Sequence, residues 1–448
     1  MINVEKYVVD LTFRGFNLLR GNLEIGMAEG TFRELFFLHL LNLSIEKEDY
    51  FKEKISGKIY MNNSKELFAS LNKFIENNNF LEGIFDYLYT FKEDTDYRVL
   101  DGVLDILKDF KNVEGLDLSL AFRCFLDILF RSKRQDLSTT SPSIRNLIRE
   151  LLRKREIKEI YDPAIGYGSL SLEVASLHSK ASIYGQDINC EVIKVCKMQF
   201  ILDKRIGDLD NLTEGNTIIN PGNVYENKLK KFDCVVCNPP YGVRGWGYEE
   251  LLNKDDYNRF HRGMPSKSLG DYAFIIQAIE SLKDCGIGVM VEPSGVLFRE
   301  GAEGVLRTDI VLENLIDAII TLPNNMMYGT TIQGNLIIFN KHKKNEDIFF
   351  IDASKEALPN KLLNTLSEES IEKIVKVYEE RREIEGFSRR VSLEEIKENN
   401  FNLITQRYVE EVMEKEYLDN GEIEKRIEEL TERLKEIDLE INKFFKKE

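Results

Sequence analysis

At 448 residues the chain is too long for one ordinary domain, and 43% hydrophobic residues can build a large core. The formal net charge of −16 argues against a protein that coats nucleic acid by itself, although bulk charge does not forbid a local basic groove. The six cysteines are scattered, which does not read as a disulfide framework.

The segment Met1 to Asp10 mixes charges into its apolar residues and does not read as a signal peptide. The longest apolar stretch, Leu35 to Leu43, is too short to span a bilayer. The expectation is a cytoplasmic, reducing location and no membrane partner. None of the nine prolines precedes Pro142, and residues 1–132 show helical spacing, as in Leu100, Val103, Leu104 and Leu107. This predicts an N-terminal helical domain. Over residues 133–345, β-rich runs alternate with helical ones. Ile157 to Tyr161, Ala181 to Tyr184, Phe232 to Cys237, Ile287 to Val291, Ile316 to Thr321 and Asn335 to Phe339 read as strands. The pattern predicts an α/β catalytic domain with a mostly parallel, Rossmann-like sheet. Residues 346–417 read as a charge-rich C-terminal extension. In residues 418–448, Ile423, Ile427, Leu430, Leu434, Ile437, Ile441 and Phe444 recur at alternating steps of four and three among charged residues. That is a heptad seam, expected to form a coiled-coil helix for subunit assembly.

The run Asp162-Pro163-Ala164-Ile165-Gly166-Tyr167-Gly168-Ser169 follows the first strand and opens a helix. Its glycines let the backbone turn sharply and approach a ligand. By itself it is equally a tight strand–helix turn. Asp187 ends the next strand, where a carboxylate can accept from both hydroxyls of a ribose or cap the following helix. No third glycine is placed for a pyrophosphate. An adenosine cofactor without phosphates fits better, and S-adenosyl-L-methionine is the expected one.

After the strand ending at Cys237 stands Asn238-Pro239-Pro240-Tyr241. Two prolines stiffen a loop and leave their carbonyls free as acceptors. The lone pair of an exocyclic base amine is delocalised into its ring. The Asn238 side-chain oxygen and the Pro239 carbonyl can accept from its N–H groups and favour a pyramidal nitrogen, and Tyr241 can stack on the extruded base. A plain stiff turn is the alternative. Cys234 and Cys237 have metal-like spacing, but residues three apart on a strand point to opposite faces. No metal site is expected.

These residues resemble the gamma-class amino-methyltransferases. More closely, the chain is similar to modification (M) subunits of type I restriction–modification systems, which are N6-adenine DNA methyltransferases. The resemblance rests on Asp162 to Leu170, Tyr184 to Asn189, Phe232 to Gly242, Glu292 to Phe298, Leu322 to Asn325 and Phe401 to Val409. It implies cofactor contacts from Asp162, Ala164, Gly166, Tyr167, Gly168, Ser169, Asp187 and Asn216. It adds a segment touching the methionine end, matched by Ser138, Thr139, Thr140, Ser141, Pro142 and Ser143. Here the family's aromatics are missing and serine replaces threonine. Tyr167 stands where the family carries a small residue, and Asn216 where it often has aspartate. Asn at the head of the tetrapeptide favours adenine over cytosine.

The loop after Tyr241 carries Arg244, Trp246, Arg259, His261, Arg262 and Lys267, suited to phosphate contact and base extrusion or else a solvated loop. Phe274 follows, in a region that lines the family's base pocket. No large segment is left over to read a DNA sequence. The resemblance therefore implies DNA delivered by a specificity (S) subunit, with the terminal heptads as its docking helix, and a restriction (R) subunit as a further partner. A stand-alone RNA or protein-amide methyltransferase and a non-catalytic assembly subunit are the rival classes.

Overall fold

A β-rich run with helices on both sides must bury both faces of its sheet, and here it does. In the computed structural model, which describes residues 4–90, 97–112, 117–131, 139–252, 254–360, 363–410 and 420–445, nine strands share one sheet. They are β1 (Glu159–Asp162), β2 (Ser182–Asp187), β3 (Leu212–Glu214), β4 (Phe232–Cys237), β5 (Leu282–Pro293), β6 (Ile316–Thr321), β7 (Gly334–Asn340), β8 (Ile348–Asp352) and β9 (Ser388–Val391). Their order is β9-β8-β6-β7-β5-β4-β1-β2-β3. Neighbours are parallel except β7, which runs against β5 and β6, and β9, which runs against β8. All six anticipated strands are present. Short β3 and the edge strands β8 and β9 were not anticipated. Because β8 and β9 extend this same sheet beyond β6, it continues past residue 345, where the sequence pattern placed the end of the catalytic domain.

Alternation along β4 divides the core. Cys234 and Val236 face one apolar cluster, Val235 and Cys237 the other. The two cysteines thus lie on opposite faces, as period-2 geometry requires. The strand order reverses between β1 and β4, so the loops leaving their carboxyl ends diverge and open a crevice.

The N-terminal residues form helices that include Val4–Arg20, Ile25–Lys47, Ser64–Glu76, Tyr97–Lys108 and Leu118–Arg131. Helix Ile25–Lys47 is apolar around most of its circumference and buries both flanks, the signature of a central helix. Phe32, Phe36, Phe122 and Phe125 meet at its middle, Phe36 and Phe125 edge to face with centroids 5.3 Å apart. This apolar cluster is continuous with one face of the sheet. Among the described residues, no helix is long and apolar enough to cross a membrane.

One buried ion pair crosses from these helices to the sheet-covering helix Pro142–Leu152. Arg145 Nη2 donates to Asp127 Oδ2 at 2.9 Å and Nη1 to Oδ1 at 3.1 Å, with both side chains almost wholly enclosed. Burial acts to lower the Arg145 pKa, and the Asp127 charge more than offsets it. Residues 1–409 form one compact unit; residues 410–448 form a second, of which helix Asn420–Phe445 is described. On that helix Ile427, Leu430, Leu434 and Ile437 are exposed, while the side chains of Ile423, Ile441 and Phe444 lie outside the described residues.

Removing one member of a buried pair strands the other charge. Asp127→Ala is therefore expected to destabilise the protein by about 3–5 kcal/mol. Urea unfolding followed by circular dichroism measures this, and a change below about 1 kcal/mol would contradict it.

Candidate active site

The crevice at the β1/β4 reversal holds a cavity of about 280 Å³. Pro163, Ala164 and Gly166 come from the loop after β1; Asp187, Ile188 and Asn189 follow β2; Gly215 to Ile218 follow β3; Asn238, Pro240 and Val243 follow β4. Phe274 and Trp246 close the remaining wall.

Tight backbone approach builds this cradle. Gly168 begins helix Ser169–Ala175 at φ +80°, and a Cβ there would lie 2.7 Å from Phe200 and 2.8 Å from Cys196 Sγ. At Gly185 a Cβ would fall 2.2 Å from Ile165. Any side chain at either point would push the β1 loop out of place.

Asp187 ties the loops together: Oδ2 accepts from Gly166 N–H at 3.0 Å and Oδ1 from Asn189 N–H at 3.0 Å. Each oxygen keeps a further lone pair on the cavity side of the chain. Asp162 is buried behind the loop instead of lining the cavity. Its oxygens accept from Ala164 N–H at 3.1 Å and from the Ser171 hydroxyl at 3.3 Å. Burial pushes its pKa up to about 7, opposed by these hydrogen bonds. Tyr167 and Ser169 are also buried outside the cavity wall; both lie against Gln199, whose side-chain amide donates to the Tyr167 carbonyl and to Ser169 Oγ. Asn216 lines the cavity, its Oδ1 fastened by Ile218 N–H at 2.9 Å and Ile219 N–H at 3.2 Å.

Ser138 lies outside the described residues. Thr139, Thr140 and Ser141 are buried at the start of helix Pro142–Leu152, with Pro142 at its first position. Thr139 Oγ1 and Ser141 Oγ have no hydrogen-bond partner, although both are enclosed. Enclosed hydroxyls at a helix N-terminus are ready donors for an anionic group. Ser143 is committed elsewhere and accepts from Leu366 N–H at 3.1 Å.

In the tetrapeptide, Asn238 Nδ2 donates to Thr140 Oγ1 at 3.2 Å, while the Tyr241 hydroxyl donates to Asn238 Oδ1 at 2.5 Å and lies 3.0 Å from Met327 Sδ. Gly242 N–H donates to buried Asp271 at 2.6 Å, and Asp271 is paired with Arg299. The loop is thus anchored at both ends. Glu292, at the end of β5, is fully buried with neither oxygen bonded; burial, then the Asp271 charge, pushes its carboxyl well up.

The basic residues separate into two groups. Arg259, expected to face DNA, is only 1% exposed: it donates to Asp255 at 2.9 Å, Gln277 at 2.8 Å and the Thr217 carbonyl at 3.4 Å. Those acceptors inside the molecule outcompete water, and the residue braces the cavity wall. Arg262 likewise bridges Glu280 and Glu313. Lys267 pairs with Glu249 at the surface, and Arg244 is exposed. Phe274, expected at the base, lines the cavity itself. Trp246 also belongs to this wall, its Nε1 donating to the Ser266 carbonyl at 2.9 Å. Thr217 and Ile218 were missed; the signal for them was the short strand β3, whose end supplies the third loop of the crevice.

Residues 136–417 match the model of the family described as N-6 DNA Methylase. The chain belongs to that family. Among similar N-6 DNA methylases is the Type I restriction enzyme MjaVIII methylase subunit of Methanocaldococcus jannaschii, 30% identical over 82% of this chain and 68% of that one. The Type I restriction enzyme MpnII methylase subunit of Mycoplasma pneumoniae is 32% identical over 64% of this chain and 54% of its own length. The chain thus spans about half to two thirds of these relatives. A type I restriction-modification system methyltransferase subunit from Streptococcus thermophilus shares the fold, with a TM-score of 0.78, 23% identity and coverage of 91% of this chain and 99% of that one.

The raised Asp162 pKa fixes a sign. Its contribution to stability is full below the unfolded value near 4 and is lost as pH rises through about 7. Asp162→Asn removes this titration while keeping the shape. Between pH 5 and 8 the wild-type melting temperature should fall relative to that of the variant, and a constant difference across this range would contradict the assignment.

Proposed function

We propose that this chain is the modification subunit of a type I restriction–modification system, a site-specific DNA methyltransferase acting on the N6 amine of a flipped adenine. The observation that carries this reading is the position of Asn238: it stands at the carboxyl end of β4 in the wall of the cavity that Asp187 also lines.

The residues suit S-adenosyl-L-methionine, which supplies an electrophilic methyl on a sulfonium. Asp187 would accept from the ribose hydroxyls. Ile188, Ile218, Trp246 and Phe274 offer apolar surface to an adenine ring. The unpartnered hydroxyls of Thr139 and Ser141 would take the carboxylate end. Asn238 Oδ1 and the Pro239 carbonyl would accept from the two N–H groups of the target amine. This localises the lone pair on nitrogen and aligns it for in-line attack, after which nitrogen sheds one proton. Tyr241 stacks on the extruded base once its hydroxyl has left Asn238. Arg244 and Lys267 remain the candidates for phosphate contact, while Arg259 and Arg262 act inside the loop that carries them.

DNA recognition is assigned to a specificity subunit, docked on helix Asn420–Phe445 through the stripe of Ile427, Leu430, Leu434 and Ile437. The acidic balance of the chain, −16, supports a partner that brings the basic surface. The restriction subunit would join the assembly so formed.

Co-expression with the genes that neighbour it, followed by mapping of methylated bases, is expected to reveal N6-methyladenine at one sequence motif. Asn238→Ala should abolish the mark while the subunits still co-purify; persistence of the mark would reject the catalytic assignment. Deleting residues 418–448 should abolish co-purification with the specificity subunit yet leave cofactor binding, measured by calorimetry, intact. Unchanged co-purification would reject the docking helix.

A further inference from the structure

An asparagine that must present its oxygen to an amine faces a problem of symmetry. Its amide oxygen and nitrogen are nearly the same size, and a half-turn about the last bond swaps them. With the nitrogen inward, a donor would face a donor and the amine would be repelled. Something has to select one orientation of Asn238.

The structure supplies a connected set of polar contacts that does so. Asn238 Nδ2 donates to Thr140 Oγ1 at 3.2 Å, which turns Oδ1 the other way, towards Tyr241. Thr140 is buried, and its own carbonyl accepts from Arg145 Nη1 at 2.8 Å. Arg145 is held by both oxygens of Asp127, which belongs to helix Leu118–Arg131. Every member is enclosed or nearly so, and water cannot easily replace a lost contact.

We propose that Thr140 is a positioning residue that fixes the amide orientation of Asn238, and that the N-terminal helices hold it there through Asp127 and Arg145. The inference rests on the reading of Asn238 as the amine acceptor and adds what keeps that acceptor pointed at its target. A threonine suits the place because its hydroxyl takes the amide N–H and retains its own proton for the cofactor side, alongside Thr139 and Ser141. Arg145 suits because its planar fork reaches a carboxylate and a carbonyl together, which a lysine cannot do.

Two measurements on the full chain test this. The first needs no turnover: nuclear magnetic resonance of the Asn238 side-chain amide should show slowed hydrogen exchange in the wild type. Exchange should quicken at least tenfold in Thr140→Val, which keeps shape but cannot accept, and return in Thr140→Ser. The second is turnover in the complex with the specificity subunit at saturating cofactor. There kcat should drop about tenfold in Thr140→Val with KM for DNA unchanged, recover in Thr140→Ser, and fall by a smaller factor in Arg145→Lys. Unaltered amide exchange in a folded Thr140→Val protein overturns the positioning role. So does a serine variant as impaired as the valine, since a merely structural defect would not be rescued by the hydroxyl. Activity that survives Asn238→Ala would instead overturn the reading of the catalytic loop, and the exchange measurement keeps the two failures apart.

Discussion

The bond between Asn238 and Thr140 joins the two ends of the crevice, and most of the molecule bears on it. One partner stands on the stiff loop after β4, the other just before helix Pro142–Leu152. Each is separately braced. The β4 loop is limited by its two prolines and pinned behind by Asp271 through Gly242. The Thr140 segment is pinned by Arg145. Catalytic asparagines gain from such bracing because a reacting geometry must be held to within a fraction of an ångström.

The parts of this arrangement differ in how readily they can be seen in the amino-acid sequence. Strong, locally encoded features were legible. Phe232 to Cys237 is a run of β-formers ending at two prolines, so both the strand and the loop it delivers are written in adjacent residues. The glycines at 166 and 168 likewise mark a backbone that has to turn without a Cβ. Strands β8 and β9 were not legible. Ile348–Asp352 sits in a charge-rich surrounding, and Ser388–Val391 presents two arginines to water as an edge strand does. Only pairing with β6 makes the first of them a sheet member, and pairing is a tertiary fact.

The arginines illustrate a second limit. From sequence, Arg259 and Arg262 are positive charges in a loop near an active site, and such charges suggest phosphate. Their acceptors, Gln277, Glu280 and Glu313, lie 18 to 51 residues away along the chain. Local charge counting cannot anticipate partners that folding brings in from elsewhere. The same is true of Thr140: only the structure reveals that it meets a residue 98 positions further on. Domain boundaries suffer for the same reason, since the sheet recruits its last strands from a segment with a different composition.

Trp246 has a practical consequence. It is the single tryptophan of the chain, and it forms part of the cavity wall with 2% of its surface open. Every photon of indole emission from this protein therefore originates at one place, beside the group proposed to bind there. The ring's surroundings set its emission wavelength, and a stacked adenine or a shift of the Ser266 carbonyl changes its quantum yield. The molecule thus carries its own label: occupancy of the crevice can be followed at micromolar concentration, in real time, without modifying a single side chain.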